Sequence, residues 1–348
     1  MSTDRNFNEI LERIVNRIDL TPELAAEAMH TLLSGRVSSE EIAAFLLGMR
    51  MKGETIDELT AFVEVMRKEA IPVEVDASSA VDLCGTGGDR SGTFNISTAA
   101  MFIVAGADIP VLKHGNRSVS SRSGSYDVLG ELGVVPNLEK DEVEAVFNGT
   151  GMAFMFAPNF HPTLKSVMPA RRALKIRTFF NMLGPLANPA NVKKQVVGAF
   201  SLDAAETIIR ILANLGAERA YAVHSRDGLD ELSVTGICDL FELNGSLRTV
   251  SAPFDPQSLG YTLCDMASIK GGDAAENAAI LKNILTNRAT PAQRDIAELN
   301  AAFAIHVSGK TSSLSEAKEM ARESRLSGKA LKKLNILVRE TQKAASAG

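Results

Sequence analysis

Through about residue 70 the apolar positions of the chain repeat only at helical spacing; beyond residue 80, short apolar runs alternate with helical stretches. In the first region Thr21 caps a helix that Pro22 opens, that runs through Leu32 and that Gly35 stops. Ser38 and Glu41 make a capping box for a helix over residues 40–51, which Gly53 ends. Thr55 and Glu58 make a second box for residues 56–69, where Leu59, Phe62, Val63 and Met66 share one face. Ile71-Pro72 breaks the pattern, and small residues carry the chain to Ala80. The second region predicts strands over residues 81–84, 109–112, 152–156, 195–200 and 220–224, with helices over 97–105, 125–132, 140–147, 164–173 and 204–215 between them. From Ala274 the pattern is helical again, Pro291 opening one segment and residues 331–344 closing the chain. No internal repeat stands out. The alternation predicts an α/β fold: a small all-helical domain (1–72) before a larger α/β domain (73–348) with a mostly parallel central sheet.

Composition narrows the class. With 348 residues, 45% hydrophobic and 23% charged, the chain is ordinary globular protein large enough for two domains. Aromatic residues make up 5%, Trp is absent and the net charge is −5, which argues against a nucleic-acid partner that needs stacking rings and a basic surface. Cys84, Cys238 and Cys264 stand far apart, so neither a disulfide framework nor a zinc site is expected. The first residues mix charges with apolar positions, unlike a secretory leader, and no run approaches the ~18 apolar residues of a membrane span. A cytoplasmic protein without a membrane partner is expected.

Three polar segments carry candidate chemistry. Gly85-Thr86-Gly87-Gly88-Asp89 follows the first strand, then Thr93-Phe94-Asn95-Ile96-Ser97-Thr98 opens an apolar helix. Clustered glycines let backbone N–H groups converge on an anion, and the helix start adds unpaired amides. Neither a Walker loop nor the dinucleotide fingerprint is present: Gly92-Thr93 and Arg90 stand where those need Gly-Lys-Ser/Thr and a third glycine. After the second strand, Lys113-His114-Gly115-Asn116-Arg117-Ser118-Val119-Ser120-Ser121-Arg122-Ser123-Gly124-Ser125 is rich in cations and hydroxyls in an otherwise acidic chain. Loops beyond the carboxyl ends of parallel strands face one crevice, so a ligand with several phosphates would satisfy both. Asp230-Glu231, in a loop after the strand over 220–224, suits Mg2+, which is commonly held by one or two carboxylates plus substrate phosphates; taken alone, such a pair is most often solvated. Arg171, Arg172, Lys175 and Arg177 concentrate charge before the apolar Gly184-Pro185 segment, and one arginine here suits a carboxylate ligand. The sequence does not choose which.

Together these segments, with Asn181-Met182-Leu183-Gly184-Pro185-Leu186, resemble the anthranilate phosphoribosyltransferase family across nearly the whole chain. The resemblance implies a fold of the nucleoside phosphorylase/phosphoribosyltransferase type, a segment near residues 165–185 returning to the helical domain, and a homodimer through those domains. It implies transfer of the phosphoribosyl group of phosphoribosyl pyrophosphate to the amine of anthranilate, a pentosyltransferase step of tryptophan biosynthesis. By position, Gly85, Gly88, Asp89, Thr93, Asn95, Ile96, Ser97, Thr98, Lys113, His114, Gly115, Asn116, Arg117, Ser118, Val119, Ser120, Ser121 and Ser125 match contacts to phosphoribosyl pyrophosphate. Ser97, Asp230 and Glu231 match magnesium ligands; Gly85, Asn116 and Arg171 match anthranilate contacts; His114 and Pro185 match the acceptor's route. Lys113 is expected to neutralise the leaving group and His114 to relay a proton, with no residue assigned as an obligatory base. Tyr126, Gly130, Ser166, Ala170 and Arg90 depart from the family's usual residues without removing a ligand. A nucleoside phosphorylase would carry a different glycine and lysine loop. A nucleic-acid-binding relative would lack both the Gly85–Asp89 loop and the acidic pair.

Overall fold

The computed structural model describes residues 2–89, 91–117, 122–245 and 249–347. Its helical part holds α1 (Ser2–Val15), α2 (Pro22–Leu33), α3 (Ser39–Lys52) and α4 (Ile56–Lys68). The starts follow from the expected caps. Ser38 Oγ accepts from the Glu41 N–H at 3.2 Å while Glu41 Oε2 accepts from the Ser38 N–H at 2.7 Å. Thr55 and Glu58 repeat the reciprocal pair at 3.2 and 2.8 Å. Helix α1, crowded with charges, was not delimited by the apolar pattern; its Ile10 and Ile14 are nonetheless buried.

The strands are β1 (Asp82–Gly85), β2 (Val111–Gly115), β3 (Met152–Phe156), β4 (Lys194–Gly198), β5 (Arg219–Ser225), β6 (Cys238–Asn244) and β7 (Thr249–Phe254). Five form a sheet ordered β1-β4-β5-β6-β7, and β2 pairs with β3. A parallel bridge between Val81 and Val111, with the Leu112 N–H donating to the Val81 carbonyl at 3.0 Å, joins the two into one surface. The β1–β4, β4–β5 and β2–β3 pairings are parallel. β6 and β7 run antiparallel and were not expected: Asp239 and Glu242 interrupt the apolar positions of β6, and β7 carries no sustained apolar run.

The sheet separates two cores. On one face Val196, Tyr221, Val223 and Leu240 pack with α5 (Ile96–Gly106) and the C-terminal helices. On the other, Val197, Ala199, Ala220, Ala222 and Phe241 pack with the helix Leu202–Asn214 and with the helical bundle. Adjacent residues of one strand thus serve opposite cores. The helix expected over 164–173 is broken. A 3-10 turn spans Pro162–Ser166 and a separate helix spans Met168–Leu174, because Pro169 has no N–H and is tolerated only in a first turn. The chain then crosses back to the bundle, where the Phe179 ring lies 4.8 Å from Phe62 and 6.3 Å from Phe45.

Candidate active site

The carboxyl ends of β1, β2 and β4 each finish on a glycine: Gly85, Gly115 and Gly198. Gly85 and Gly198 are register partners on neighbouring strands. Together they make a notch for Asp230: a Cβ on Gly198 would lie 1.5 Å from the Asp230 carbonyl oxygen, and one on Gly85 would lie 2.5 Å from its carboxylate. The loop that delivers Asp230 is fixed on both sides. The Leu229 N–H donates to Asp227 at 3.2 Å, and buried Asn300 brackets Leu232, accepting from its N–H at 3.1 Å and donating to its carbonyl at 2.8 Å.

Here the separated motifs meet. The Gly87 N–H donates to Asp230 Oδ2 at 2.6 Å, the Ser97 N–H to Glu231 Oε1 at 3.3 Å, and Lys113 Nζ to Ser97 Oγ at 3.2 Å and to the Leu83 carbonyl. The glycine loop, the start of α5, the β2 lysine and the acidic pair therefore share one rim. Burial, then the charge of Asp89, pushes Asp230 up to about 7; burial, then the charge of Asp230, pushes Glu231 up to about 8. Neighbouring acids resist ionising together, and a hard divalent cation relieves that repulsion with the oxygen ligands it prefers, so Asp230, Glu231 and Ser97 suit Mg2+ by donor chemistry.

Beneath the rim lies a polar network the motifs did not announce. Asp82 is buried, and its Oδ2 accepts from His114 Nδ1 at 2.7 Å and from Asn188 Nδ2 at 2.7 Å. Burial opposes its ionisation, yet the charges of His114 and Lys113 and the Asn188 hydrogen bond together hold its carboxyl below the usual range. His114 Nε2 meets the Gly184 carbonyl at 2.9 Å. Both partners of the ring are acceptors, so the doubly protonated ring satisfies both bonds. Asp82, Cys84 and His114 bring possible metal-binding atoms within 4.8 Å of one another, but Asp82 and His114 are already bonded to each other and His114 to Gly184. His114 thus braces β2 against Gly184, next to Pro185, which is buried.

The remaining expected residues fall in several environments. Ile96 and Thr98 are buried whole, at 1% and 0% exposure, so the structure presents neither to a ligand. Asn95 does not cap α5; its amide donates to the Ser123 carbonyl at 3.3 Å and its oxygen accepts from Asn277 at 3.0 Å. Asn277, on the helix Ala274–Leu285, ties two loops together and carried no sequence signal beyond being a polar residue in a helical stretch. Asp89 accepts from the Ser91 N–H at 3.3 Å, and Thr93 Oγ1 lies 3.3 Å from Ser91 Oγ. Gly88 follows Gly87 in the loop, both at positive φ. Gly115 packs against Ser125 Oγ and the Phe154 ring, Asn116 is exposed, and the Arg117 guanidinium stacks 4.3 Å from the centre of the Tyr126 ring. Ser118, Val119, Ser120 and Ser121 lie outside the described residues, as does Arg90. Of the basic cluster, Arg172 and Lys175 are exposed, whereas Arg171 and Arg177 are half-buried. Arg171 stands 5.1 Å from the Phe180 ring and, among the described residues, pairs with no carboxylate. Burial holds its guanidinium below the usual arginine range, a cost that an anionic ligand would offset.

A helical bundle beside an α/β layer, with a glycine loop, a lysine and an acidic pair on one rim, defines a class. The profile described as "Glycosyl transferase family, helical bundle domain" matches residues 8–70, and that described as "Glycosyl transferase family, a/b domain" matches residues 77–331. Among curated relatives, an anthranilate phosphoribosyltransferase of Salinibacter ruber is 48% identical over 98% of this chain and 100% of its own length. One of Bradyrhizobium sp. is 45% identical over 96% of this chain and 98% of its own. Among solved structures, the anthranilate phosphoribosyltransferase of Thermus thermophilus superposes with a TM-score of 0.90 at 35% identity, covering 95% of this chain and 99% of that one. That of Saccharomyces cerevisiae in complex with PRPP and Mg gives 0.89 at 24% identity over 97% and 98%, a likeness of fold. The chain belongs to the anthranilate phosphoribosyltransferase family.

Proposed function

We propose that this protein transfers the 5-phosphoribosyl group of phosphoribosyl pyrophosphate to the amine of anthranilate, releasing pyrophosphate, in tryptophan biosynthesis. The observation that carries this reading is the convergence of the Gly85–Asp89 loop, the α5 start, Lys113 and Asp230-Glu231 at one rim. In the reaction the amine nitrogen bonds to C1 of the ribose as the C1–oxygen bond to pyrophosphate breaks, and the amine proton leaves. The loop amides and Lys113 hold the departing negative charge, which matters more than a strong base for an oxocarbenium-like transition state. Asp230, Glu231 and Ser97 would hold Mg2+, which when bound would supply charge neutralisation to the pyrophosphate. Arg171 clamps the anthranilate carboxylate, and Gly85 and Asn116 complete the acceptor's surroundings. His114, with both ring nitrogens engaged, acts by bracing the site, and a proton relay through it requires one of those bonds to open.

The functional division is 1–72 with the segment near 165–185 against the remainder, and the partner is a second copy of the chain. Val15, Ile18, Leu47 and Met51 expose apolar surface in the bundle, which a homodimer through that domain would cover. No nucleic-acid partner is inferred for this acidic chain. No helix among the described residues is long and apolar enough to cross a membrane, and we place the protein in the cytoplasm. The test is the loss of anthranilate fluorescence. The signal should fall only when phosphoribosyl pyrophosphate is present and should hold steady when a chelator is added. Consumption without the phosphoribosyl donor rejects the reaction, and full turnover in chelator rejects the metal.

A further inference from the structure

Arg177 sits in the crossing chain between the helix Met168–Leu174 and Phe179, and its described partners are not acids. Its guanidinium donates to the Gly88 carbonyl and lies 4.4 Å from the centre of the Phe200 ring. The Phe200 N–H in turn donates to Thr86 Oγ1 at 3.0 Å, so the ring beneath the arginine is itself tied to the glycine loop. The carbonyl of Arg177 accepts from the Arg50 guanidinium on α3. A continuous path thus runs from the helical bundle, through the crossing segment, to the loop.

The loop is a segment that needs such a hold. Gly87 and Gly88 both take positive φ, 66° and 76°, where glycine has wide conformational freedom and little intrinsic preference for one shape. In a planar trans peptide the C=O and the following N–H point in opposite directions. Anchoring the Gly88 carbonyl on Arg177 therefore turns the Asp89 N–H away from the arginine and fixes one peptide plane of the loop. Arginine suits the task because its planar head can stack on Phe200 while donating sideways, which the lysine ammonium cannot reproduce.

We propose that Arg177 is a positioning residue that holds the glycine loop in its pyrophosphate-binding shape and makes that shape depend on how α3 sits against the sheet. The proposal rests on the reading that the Gly85–Asp89 loop holds pyrophosphate. It predicts a selective defect: Arg177→Ala raises the KM for phosphoribosyl pyrophosphate about tenfold, the size expected for one lost charge-assisted hydrogen bond, and moves the anthranilate KM less than about twofold. Added guanidinium ion at millimolar concentration should restore part of the loss. Arg177→Lys should show an intermediate defect, and Phe200→Leu, which keeps every backbone hydrogen bond, about a threefold rise in the same KM.

The measurement is steady-state kinetics with each substrate varied, alongside thermal melting of every variant. An unchanged phosphoribosyl pyrophosphate KM in Arg177→Ala overturns the proposal. So does an equal rise in both KM values, which marks general loosening. If Arg177→Ala does not fold, the decision falls to Arg177→Lys and Phe200→Leu on the same criteria. Gly88→Ala separates this idea from the reading beneath it. If that variant leaves the phosphoribosyl pyrophosphate KM unchanged, the loop assignment fails and the Arg177 proposal with it. If Gly88→Ala raises the KM and the Arg177 variants do not, the Arg177 proposal alone fails.

Discussion

Replacing Glu231 by Gln should make the metal-free protein more stable while removing magnesium-dependent turnover. Gln keeps the acceptor that the Ser97 N–H uses, so the change is mainly one of charge. The Glu231 carboxyl is displaced from its ordinary 4.5 to about 8 by burial and by Asp230. At ~1.4 kcal/mol per pH unit that displacement amounts to ~5 kcal/mol of destabilisation once the group is ionised. Water reaches the half-buried side chain, and screening leaves roughly half, ~2 kcal/mol. A raised acid binds its proton more tightly folded than unfolded. The penalty is therefore absent below about pH 4.5, grows with pH, and is complete only above about pH 8. With ~2.1 cal/mol/K of unfolding entropy per residue over 348 residues, ~2 kcal/mol corresponds to a rise in Tm of ~3 °C. Melting in chelator at pH 5 and at pH 8.5 reads this directly: Glu231→Gln should match wild type at the lower pH and exceed it at the higher. Saturating Mg2+ should raise the wild-type Tm at pH 8.5 and leave the variant almost unmoved. A variant that melts at or below the wild-type temperature at pH 8.5 would refute the claim that acids at this rim repel one another and await a cation.

Two further variants probe the acceptor side and the scaffold. Arg171→Ala should raise the anthranilate KM by roughly 10- to 100-fold, with the phosphoribosyl pyrophosphate KM nearly unchanged; steady-state kinetics showing equal effects would remove Arg171 from the acceptor carboxylate. Gly198→Ala would set a Cβ 1.5 Å from the Asp230 carbonyl oxygen, a clash with backbone that no rotamer relieves, so a loss of ~3 kcal/mol or more is expected in denaturant melts. A wild-type melt would mean that the notch at the ends of β1 and β4 is not closely packed.

Much of the fold was legible because local signals were unambiguous. The capping boxes at Ser38 and Thr55 set the starts of α3 and α4, and the apolar runs set the parallel strands to within a few residues. The hairpin of β6 and β7 escaped because Asp239 and Glu242 break the apolar pattern of β6 and β7 has no sustained apolar run. The helix over 164–173 was overdrawn because periodicity there outweighed Pro169. At the site, the glycine loop, Lys113 and Asp230-Glu231 were visible as runs of unusual composition. Asp82, Asn188 and Asn277 were not, since each is one polar residue whose meaning depends on a partner between 32 and 182 positions away.

What the sequence by itself determined is the kind of chemistry: clustered glycines that turn amides toward an anion, cations after one strand, and paired carboxylates after another. Those properties belong to the residues and their neighbours in the chain. Only the tertiary structure decided which of them act together, because parallel strands deliver their ends to one edge irrespective of distance along the chain. It placed Asp230 in a notch between two glycines, turned the His114 ring into a brace, and separated half-buried Arg171 and Arg177 from their solvated neighbours. Burial and close approach set those roles, and neither is a local property of the chain.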